Sequence, residues 1–230
     1  MQADLDSWFE KRMGAYLLRQ EREVLREVLP TVFGYFLLQA GVWGPAGTLL
    51  ESSSIRTRFM LGQQYAAGIQ VCAHPGDLPI ASDSVDALLL PHTLEHSRDP
   101  ARVLREAERV LMGEGHLMVL GFHPWGLWAM HQRFNAATPW AGDYVGAGRL
   151  REWLTVLGFE IVGIRHYLFR PPFQYRLLSR STFLDRLRWR ITASAYMLVA
   201  RKRVFALTPL RLKRVRPRSA FAGVVNPTAR

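Results

Sequence analysis

The sequence predicts an α/β fold built on a largely parallel sheet, and three consecutive segments carry that prediction. Val85 to Leu90 is a continuous apolar run of strand length, the pattern of a strand buried on both faces. Asp99-Pro100 then opens a helix, with Asp as N-cap and Pro at the first helical position. Val103, Leu104, Ala107, Val110 and Leu111 follow at helical spacing. Gly113 and Gly115 are expected to stop that helix, and His116 to Gly121 supplies a second apolar strand. Strand, helix and strand, with both strands apolar throughout, imply a right-handed crossover between parallel neighbours. Ligands in such sheets bind beyond the carboxyl ends of the strands. Pro91, His92, Gly121, Phe122 and His123 stand there.

The remaining elements read in order. Residues 5 to 29 form one amphipathic helix, with Leu5, Trp8, Phe9, Met13, Tyr16, Leu17, Val24, Val28 and Leu29 mostly on one face. Ser7 and Glu10 have capping-box spacing, and Pro30 ends the run. Tyr35 to Ala40 is the first strand, followed by the turn Gly41-Val42-Trp43-Gly44-Pro45. Arg58 to Gln63 is the second strand, and Ile69 to Ala73 a short third leading to Gly76-Asp77-Leu78. Gly121 to Asp143 is a long irregular segment holding Phe122, Trp125, Trp128, Phe134 and Trp140. It suits an aromatic-lined pocket for an apolar or planar ligand, and equally a local hydrophobic cluster. Leu150, Trp153, Leu154 and Leu157 mark a helix ending at Gly158, and Phe159 to Phe169 a sixth strand broken by Pro171-Pro172. Phe173 to Arg190 is a basic insertion, Ser194 to Arg201 a seventh strand, and the chain from Thr208 reads as disordered.

The domain reading is an N-terminal helix over residues 1–30, one α/β domain over 31–207 and a basic tail over 208–230. The chain has 230 residues and a formal charge of +11, unevenly spread. Residues 1–164 carry 14 Lys and Arg against 18 Asp and Glu; residues 165–230 carry 16 against Asp185 alone. A mildly acidic core therefore precedes a segment of net charge +15. Such a segment attracts RNA or an anionic membrane, here through Arg176 to Arg218, or else is a solvated tail. Cys72 is the single cysteine, so no internal disulfide forms and a reducing compartment is expected. No charged-then-apolar leader pattern and no run of roughly 18 apolar residues occurs, so a cytoplasmic location is expected.

His92-Thr93-Leu94-Glu95-His96 matches the H-x-x-E-H pattern of inverted zinc proteases. That chemistry needs both histidines on one continuous helix. A strand before them and the Asp99-Pro100 helix start after them leave no room for it, so no metal site is expected.

Residues 70 to 122 closely resemble the second half of a class I S-adenosylmethionine-dependent methyltransferase of the small bacterial, metabolite-type kind. Gly76, Asp77, Leu78 and Pro79 match a shortened loop before the family's fourth strand. Leu88 to His96 with Asp99-Pro100 match the strand and turn that follow. Arg109, Val110, Leu111 and Gly113 match the end of the next helix. The likeness continues from Ala147 to Arg203 and is weakest in the first half. It implies a Rossmann-like, doubly wound, mostly parallel seven-stranded sheet with an antiparallel last strand. It also implies S-adenosylmethionine as cofactor, an acceptor that is a small molecule or lipid-like, and an N-terminal helix acting as a lid over the cofactor or packed on the sheet edge.

Carried over residue by residue, the cofactor site comprises Gln39, Gly41, Trp43 and Gly44 at the first strand end. Asp77 would accept from the adenine amino group, the Leu78 backbone would meet the ring edge, and Pro91 and His92 stand at the cleft mouth. The chain departs from the family at two points. Gln39 stands where an acid is usual, with Trp43 inside the glycine turn, and no acid follows Leu61, where Gly62, Gln63 and Gln64 stand. His92, His96 and His123 are the candidates for orienting the acceptor or taking a proton. Two other readings stay open: an RNA-modifying enzyme using the arginine-rich end, and a non-catalytic binding protein on the same fold. The first lacks the Asn-Pro-Pro-Tyr-type motif, in whose place Pro91-His92-Thr93-Leu94 stands.

Overall fold

A computed structural model describes residues 7–126, 128–129, 142–168 and 193–204. The elements are α1 (Arg12–Val28), β1 (Phe36–Ala40), β2 (Thr57–Gly62), β3 (Val71–Cys72), β4 (Val85–Pro91), α2 (Pro100–Val110), β5 (Leu111–Phe122), α3 (Ala147–Val156), β6 (Phe159–Tyr167) and β7 (Ala195–Lys202). The strands form one sheet in the order β3-β2-β1-β4-β5-β7-β6. β1 lies parallel to β2 and β4, β2 to β3, and β4 to β5. β7 runs antiparallel between β5 and β6. The doubly wound α/β sheet with an antiparallel last strand is as expected.

Period-two alternation divides each strand between two cores. Leu37, Leu89, Met118, Leu120 and Phe122 face one side and pack against Leu17, Leu25 and Val28 of α1. Leu38, Leu88, Leu90, Leu117 and Val119 face the other, against Val103, Leu104, Ala107 and Val110 of α2 and Leu150 and Leu154 of α3. α2 is the β4–β5 crossover. Its N-cap Asp99 accepts from the Arg102 amide at 2.9 Å. The connections from β1 to β2, β2 to β3 and β3 to β4 contain no α-helix; the first holds only the 3-10 turn Thr48–Leu50. α1, which precedes β1, covers that part of the sheet instead.

Two local expectations are corrected. Gly113 and Gly115 do not stop the preceding helix. α2 ends at Val110, Leu111 is already extended (φ −70°, ψ 132°) and pairs with Val85, and both glycines lie inside β5. The register then jumps to Ala87 opposite His116, so residues 112–115 form a bulge. The glycines serve that bulge: a Cβ on Gly113 would sit 2.4 Å from Val204, and one on Gly115 2.8 Å from the Met112 carbonyl. The N-terminal helix is likewise not continuous. Residues 7–10 are helical, Lys11 is extended (φ −73°, ψ 155°), and α1 starts at Arg12. The chain folds back onto Gly14, where a Cβ would stand 2.4 Å from the Trp8 carbonyl oxygen. The basic insertion and tail, residues 173–190 and 208–230, lie outside the described residues.

Candidate active site

The carboxyl ends of β1, β4, β5 and β6 meet on the face covered by α1, and buried polar groups gather there. At the end of β1 the chain turns through Gly41 (φ +113°) and Gly44 (φ +70°). Both need left-handed backbone, which glycine tolerates. The close approach at Gly41 is to Thr93, whose Oγ1 donates to the Ala40 carbonyl at 2.6 Å and would lie 2.4 Å from an added Cβ. The β1 and β4 ends are thereby tied together. Gln39 points to the same face as Leu37. Its amide donates to the Gly41 carbonyl at 3.0 Å, while its Oε1 is buried with no hydrogen-bond partner among the described residues.

His92, the residue after β4, adopts φ +52°, a conformation rare outside glycine and held here by its partners. Its Nδ1 lies 2.9 Å from Glu95 Oε2 and its Nε2 2.9 Å from Glu21 Oε1. Glu21 comes from α1 and Glu95 from the turn after β4; all three side chains are essentially inaccessible to solvent. Two carboxylate acceptors require both ring nitrogens to donate, which describes an imidazolium. Burial alone would lower the His92 pKa. The Glu95 charge and the hydrogen bonds that the ring donates to both carboxylates overcome this and raise it to about 9. Burial raises the Glu95 pKa, against the opposing pull of His92 and the Phe122 amide. The remaining carboxylate oxygens are occupied too. Trp43 Nε1 donates to Glu21 Oε2 at 2.8 Å, and the Phe122 amide donates to Glu95 Oε1. The Trp43 ring centre stands 4.2 Å from that of His92 and the Phe122 ring centre 4.3 Å from it, both tilted, so the imidazolium packs against two aromatic rings.

On the far side of Phe122, Ala195 of β7 pairs with both Phe122 and Tyr167 of β6. Ala195 thus contributes only a methyl group to the row between the two residues. Tyr167 is 3 % exposed and its hydroxyl has no hydrogen-bond partner among the described residues. Burial, and then the charges of Glu21 and Glu95, push its pKa well up. The neighbouring Tyr196 turns to the opposite face and donates to the Val145 carbonyl at 2.7 Å.

The loop expected to meet adenine is held by α2. Asp77 pairs with Arg102, and the Leu78 amide donates to Glu106 Oε2 at 2.8 Å. Arg109 grips Glu106 through two nitrogens at 2.8 Å and donates to the Leu78 and Ile80 carbonyls, each at 2.9 Å. The groups that the resemblance reserves for the cofactor's base are thus taken up within the chain.

The structure therefore brings Gln39, Gly41, Trp43, Pro91 and His92 together at the ends of β1 and β4. Gly44 stands further along the turn, against Leu18 of α1. His96 is exposed, its ring 6.3 Å from Trp43. His123 is half-buried with its pKa lowered by burial and by His166, and its amide donates to the Ser194 carbonyl at 2.8 Å. Residues 92–96 form turns, not a helix, and His92 already has a carboxylate on each nitrogen. Three central groups went unrecognised in the sequence: Glu21, Glu95 and Tyr167. Glu21 left a signal there, as a carboxylate between Leu17 and Leu25 on the buried stripe of a helix, and Glu95 stood in the H-x-x-E-H pattern; Tyr167 left none.

The model of a methyltransferase domain family matches residues 55–119. The uncharacterized protein YafS of Escherichia coli is 28% identical over 218 residues, covering 93% of this chain and 88% of that protein. The uncharacterized protein Rv2003c of Mycobacterium tuberculosis is 30% identical over 183 residues, covering 74% of this chain and 62% of that protein. Among solved structures, a chain from Thermotoga maritima described as an S-adenosylmethionine-dependent methyltransferase, possible histamine N-methyltransferase, superposes with a TM-score of 0.64 at 18% identity. That superposition covers 86% of this chain and 93% of the other; at such identity the likeness is one of fold.

Proposed function

We propose, from the methyltransferase-domain model that matches residues 55–119 and from the shared fold, that the chain is a class I S-adenosylmethionine-dependent methyltransferase acting on a small-molecule or lipid-like acceptor. S-adenosylmethionine is the cofactor of the superfamily, and when bound it supplies a methyl group made electrophilic by its sulfonium. The observation that carries the reading is the buried, unpartnered Oε1 of Gln39, beside the glycine turn at the topological switch between β1 and β4. An acceptor oxygen left bare in the interior costs free energy until a donor reaches it. The ammonium of the cofactor's methionine part is such a donor, so this end of the site fits the cofactor. The adenine end fits only after Asp77 and Leu78 exchange their α2 partners for the ligand.

In this reading the chain's own residues align and enclose. Gln39 orients the amino-acid end, Gly41 and Gly44 let the backbone pass close by, and Trp43 with Phe122 walls the site from water. His92, with a carboxylate on each nitrogen, holds those walls in register and is not a free base. Positioning of this kind supplies much of the rate in a methyl displacement. The arginines from Arg176 to Arg218 would bring the enzyme to a polyanion, with affinity falling steeply as salt rises.

Calorimetric titration with S-adenosylmethionine and S-adenosylhomocysteine tests the reading. Both should bind, and Gln39→Leu should weaken each about tenfold, the worth of one hydrogen bond to a charged donor. The absence of any thermal shift at millimolar ligand would favour a second reading, a binding protein on this fold. Trp43 filling the turn and Glu106 holding the Leu78 amide are the observations on its side.

A further inference from the structure

Among the described residues nine large hydrophobic side chains are exposed, and six of them lie at the end of the sheet opposite the candidate site. Phe33, Tyr35 and Phe36 lead into β1, Met112 lies in the β5 bulge, Val156 closes α3 ahead of β6, and Val204 follows β7. The strand spacing spreads them along a rim of about 20 Å. Single exposed hydrophobics scattered over a surface are ordinary; their gathering at one end marks a contact surface. The aromatic part of the rim is held in place. Asp86 Oδ2 accepts from the Tyr35 and Phe36 amides at 2.9 and 2.8 Å, and the Phe36 ring stacks on that of Phe59. Phe33 and Tyr35 are nevertheless 77 % and 79 % exposed.

Charge selects the partner. The cations on the rim are paired: Lys202 with Asp83 and Glu108, Arg201 with Glu114 and Glu160, and Arg203 with Glu160. A single-stranded nucleic acid is bound by cations interleaved with aromatics, whereas this rim presents apolar side chains beside ion pairs. The chain leaves the rim at Val204, and residues 205–230, outside the described residues, carry six Lys and Arg and no acid in sequence. Arg211 follows Val204 by seven positions, so even a fully extended chain keeps it within about 25 Å of the rim.

We propose that this rim docks on an anionic bilayer, with Phe33 and Tyr35 entering the interface and the basic residues from Arg211 to Arg218 held to the headgroups. Apolar insertion and polybasic attraction are each weak alone and anchor a protein together. The rim is the far end of the sheet, so the docked protein keeps its candidate site open to water. The proposal does not depend on the methyltransferase reading.

The test is sedimentation of the full chain with vesicles of phosphatidylcholine alone and of phosphatidylcholine with about one-third phosphatidylglycerol. The mixed vesicles should bind at least about tenfold more tightly than the neutral ones. Phe33→Ser/Tyr35→Ser should weaken that binding about tenfold with the melting temperature near wild type, because Asp86 grips backbone amides that the variant keeps. Truncation after Leu207 should weaken it by a similar factor, and S-adenosylhomocysteine affinity should be the same with and without vesicles. Unchanged vesicle binding in the double variant would overturn the proposal. So would tighter binding after truncation, the sign of a tail that itself covers the rim, or a dimer abolished by the double variant, the sign of a second copy there. Single-stranded RNA bound more tightly than the mixed vesicles at the same ionic strength would overturn it in favour of a nucleic acid. Vesicles that compete with S-adenosylhomocysteine would overturn it too, since the bilayer would then cover the other end of the sheet. If the double variant fails to fold, Tyr35→Ser decides alone. Failure of S-adenosylhomocysteine to bind at all would strike only the methyltransferase reading, and the vesicle measurements would still decide this one.

Discussion

Between β4 and β5 the chain forms the 11-residue helix α2, which packs four buried apolar side chains onto the sheet. Between β1 and β2 it forms no α-helix, and a helix from before the sheet covers the same area. The two coverings differ in chemistry as well as in connectivity. α2 holds its strands through Val103, Leu104, Ala107 and Val110. α1 contributes Leu17, Leu25 and Val28, and also a carboxylate, Glu21, that reaches across to the end of β4. A crossover helix is kept in place by the strands on either side of it. α1 has a strand on only one side of it in sequence, and the buried ion pair adds a directional tie across to β4.

His92→Ala should break this comparison hardest. It leaves Glu21 and Glu95 buried without their shared counter-charge, at a cost of about 3–5 kcal/mol in urea unfolding. Leu104→Ala, in the covering by α2, should cost about 3 kcal/mol through transfer and cavity alone. If His92→Ala lost less than Leu104→Ala, the tie would be no stronger than ordinary packing. The two variants should also separate with pH. The His92 pKa is raised from 6.5 to about 9 in the fold, so its stabilisation is fully present below pH 6.5 and is lost as pH rises through about 9. Wild type should lose a few kcal/mol across that window relative to His92→Ala, whereas Leu104→Ala should track wild type. Parallel curves for wild type and His92→Ala would remove the imidazolium from the account.

Arg109→Lys sharpens the comparison from the other side. The guanidinium serves Glu106 and two loop carbonyls at once, which an ammonium cannot. A loss of about 1–2 kcal/mol is expected, with faster amide exchange at Leu78 read by mass spectrometry or NMR. Unchanged exchange at Leu78 would mean that Glu106 holds the loop unaided. The smallest effect belongs to Asp99→Ala, which removes the N-cap of α2 and should cost about 1 kcal/mol. An undetectable change there would mean that α2 is fixed by its packing alone.

Legibility in the sequence follows the same division. The β4–α2–β5 unit was readable because each element obeys one period and opens with a strong signal, such as Asp99-Pro100. Its one error, the helix stop, arose because glycines that relieve a strand bulge look the same in sequence as glycines that end a helix. The amphipathic stripe of α1 was visible. Its break at Lys11 was not, because the cause is a backbone approach onto Gly14 from residues six positions away. Of the groups that meet at the strand ends, Gln39, Gly41, Trp43 and His92 were named through the family resemblance. Glu95 was seen only as part of a zinc-like pattern. Tyr167 left no signal, since its place beside Phe122 depends on β7 entering between β5 and β6.

That insertion also sets the order in which the molecule can be assembled. β5 and β6 do not pair with each other; β7 lies between them and pairs with them at seven and eight positions, and β6 has no other strand neighbour. Until residues 195–202 have been synthesised, β6 has no neighbour and β5 presents a bare edge along its apolar length. The slot that completes the sheet is filled by its last strand, some 30 residues after β6 ends. Such distant pairing is slow, and a growing chain must keep two exposed edges apart from other chains while it waits. A ribosome stalled just before Ala195 would hold a sheet with a missing central plank. Chains released at that length should aggregate, whereas those released after Lys202 should not.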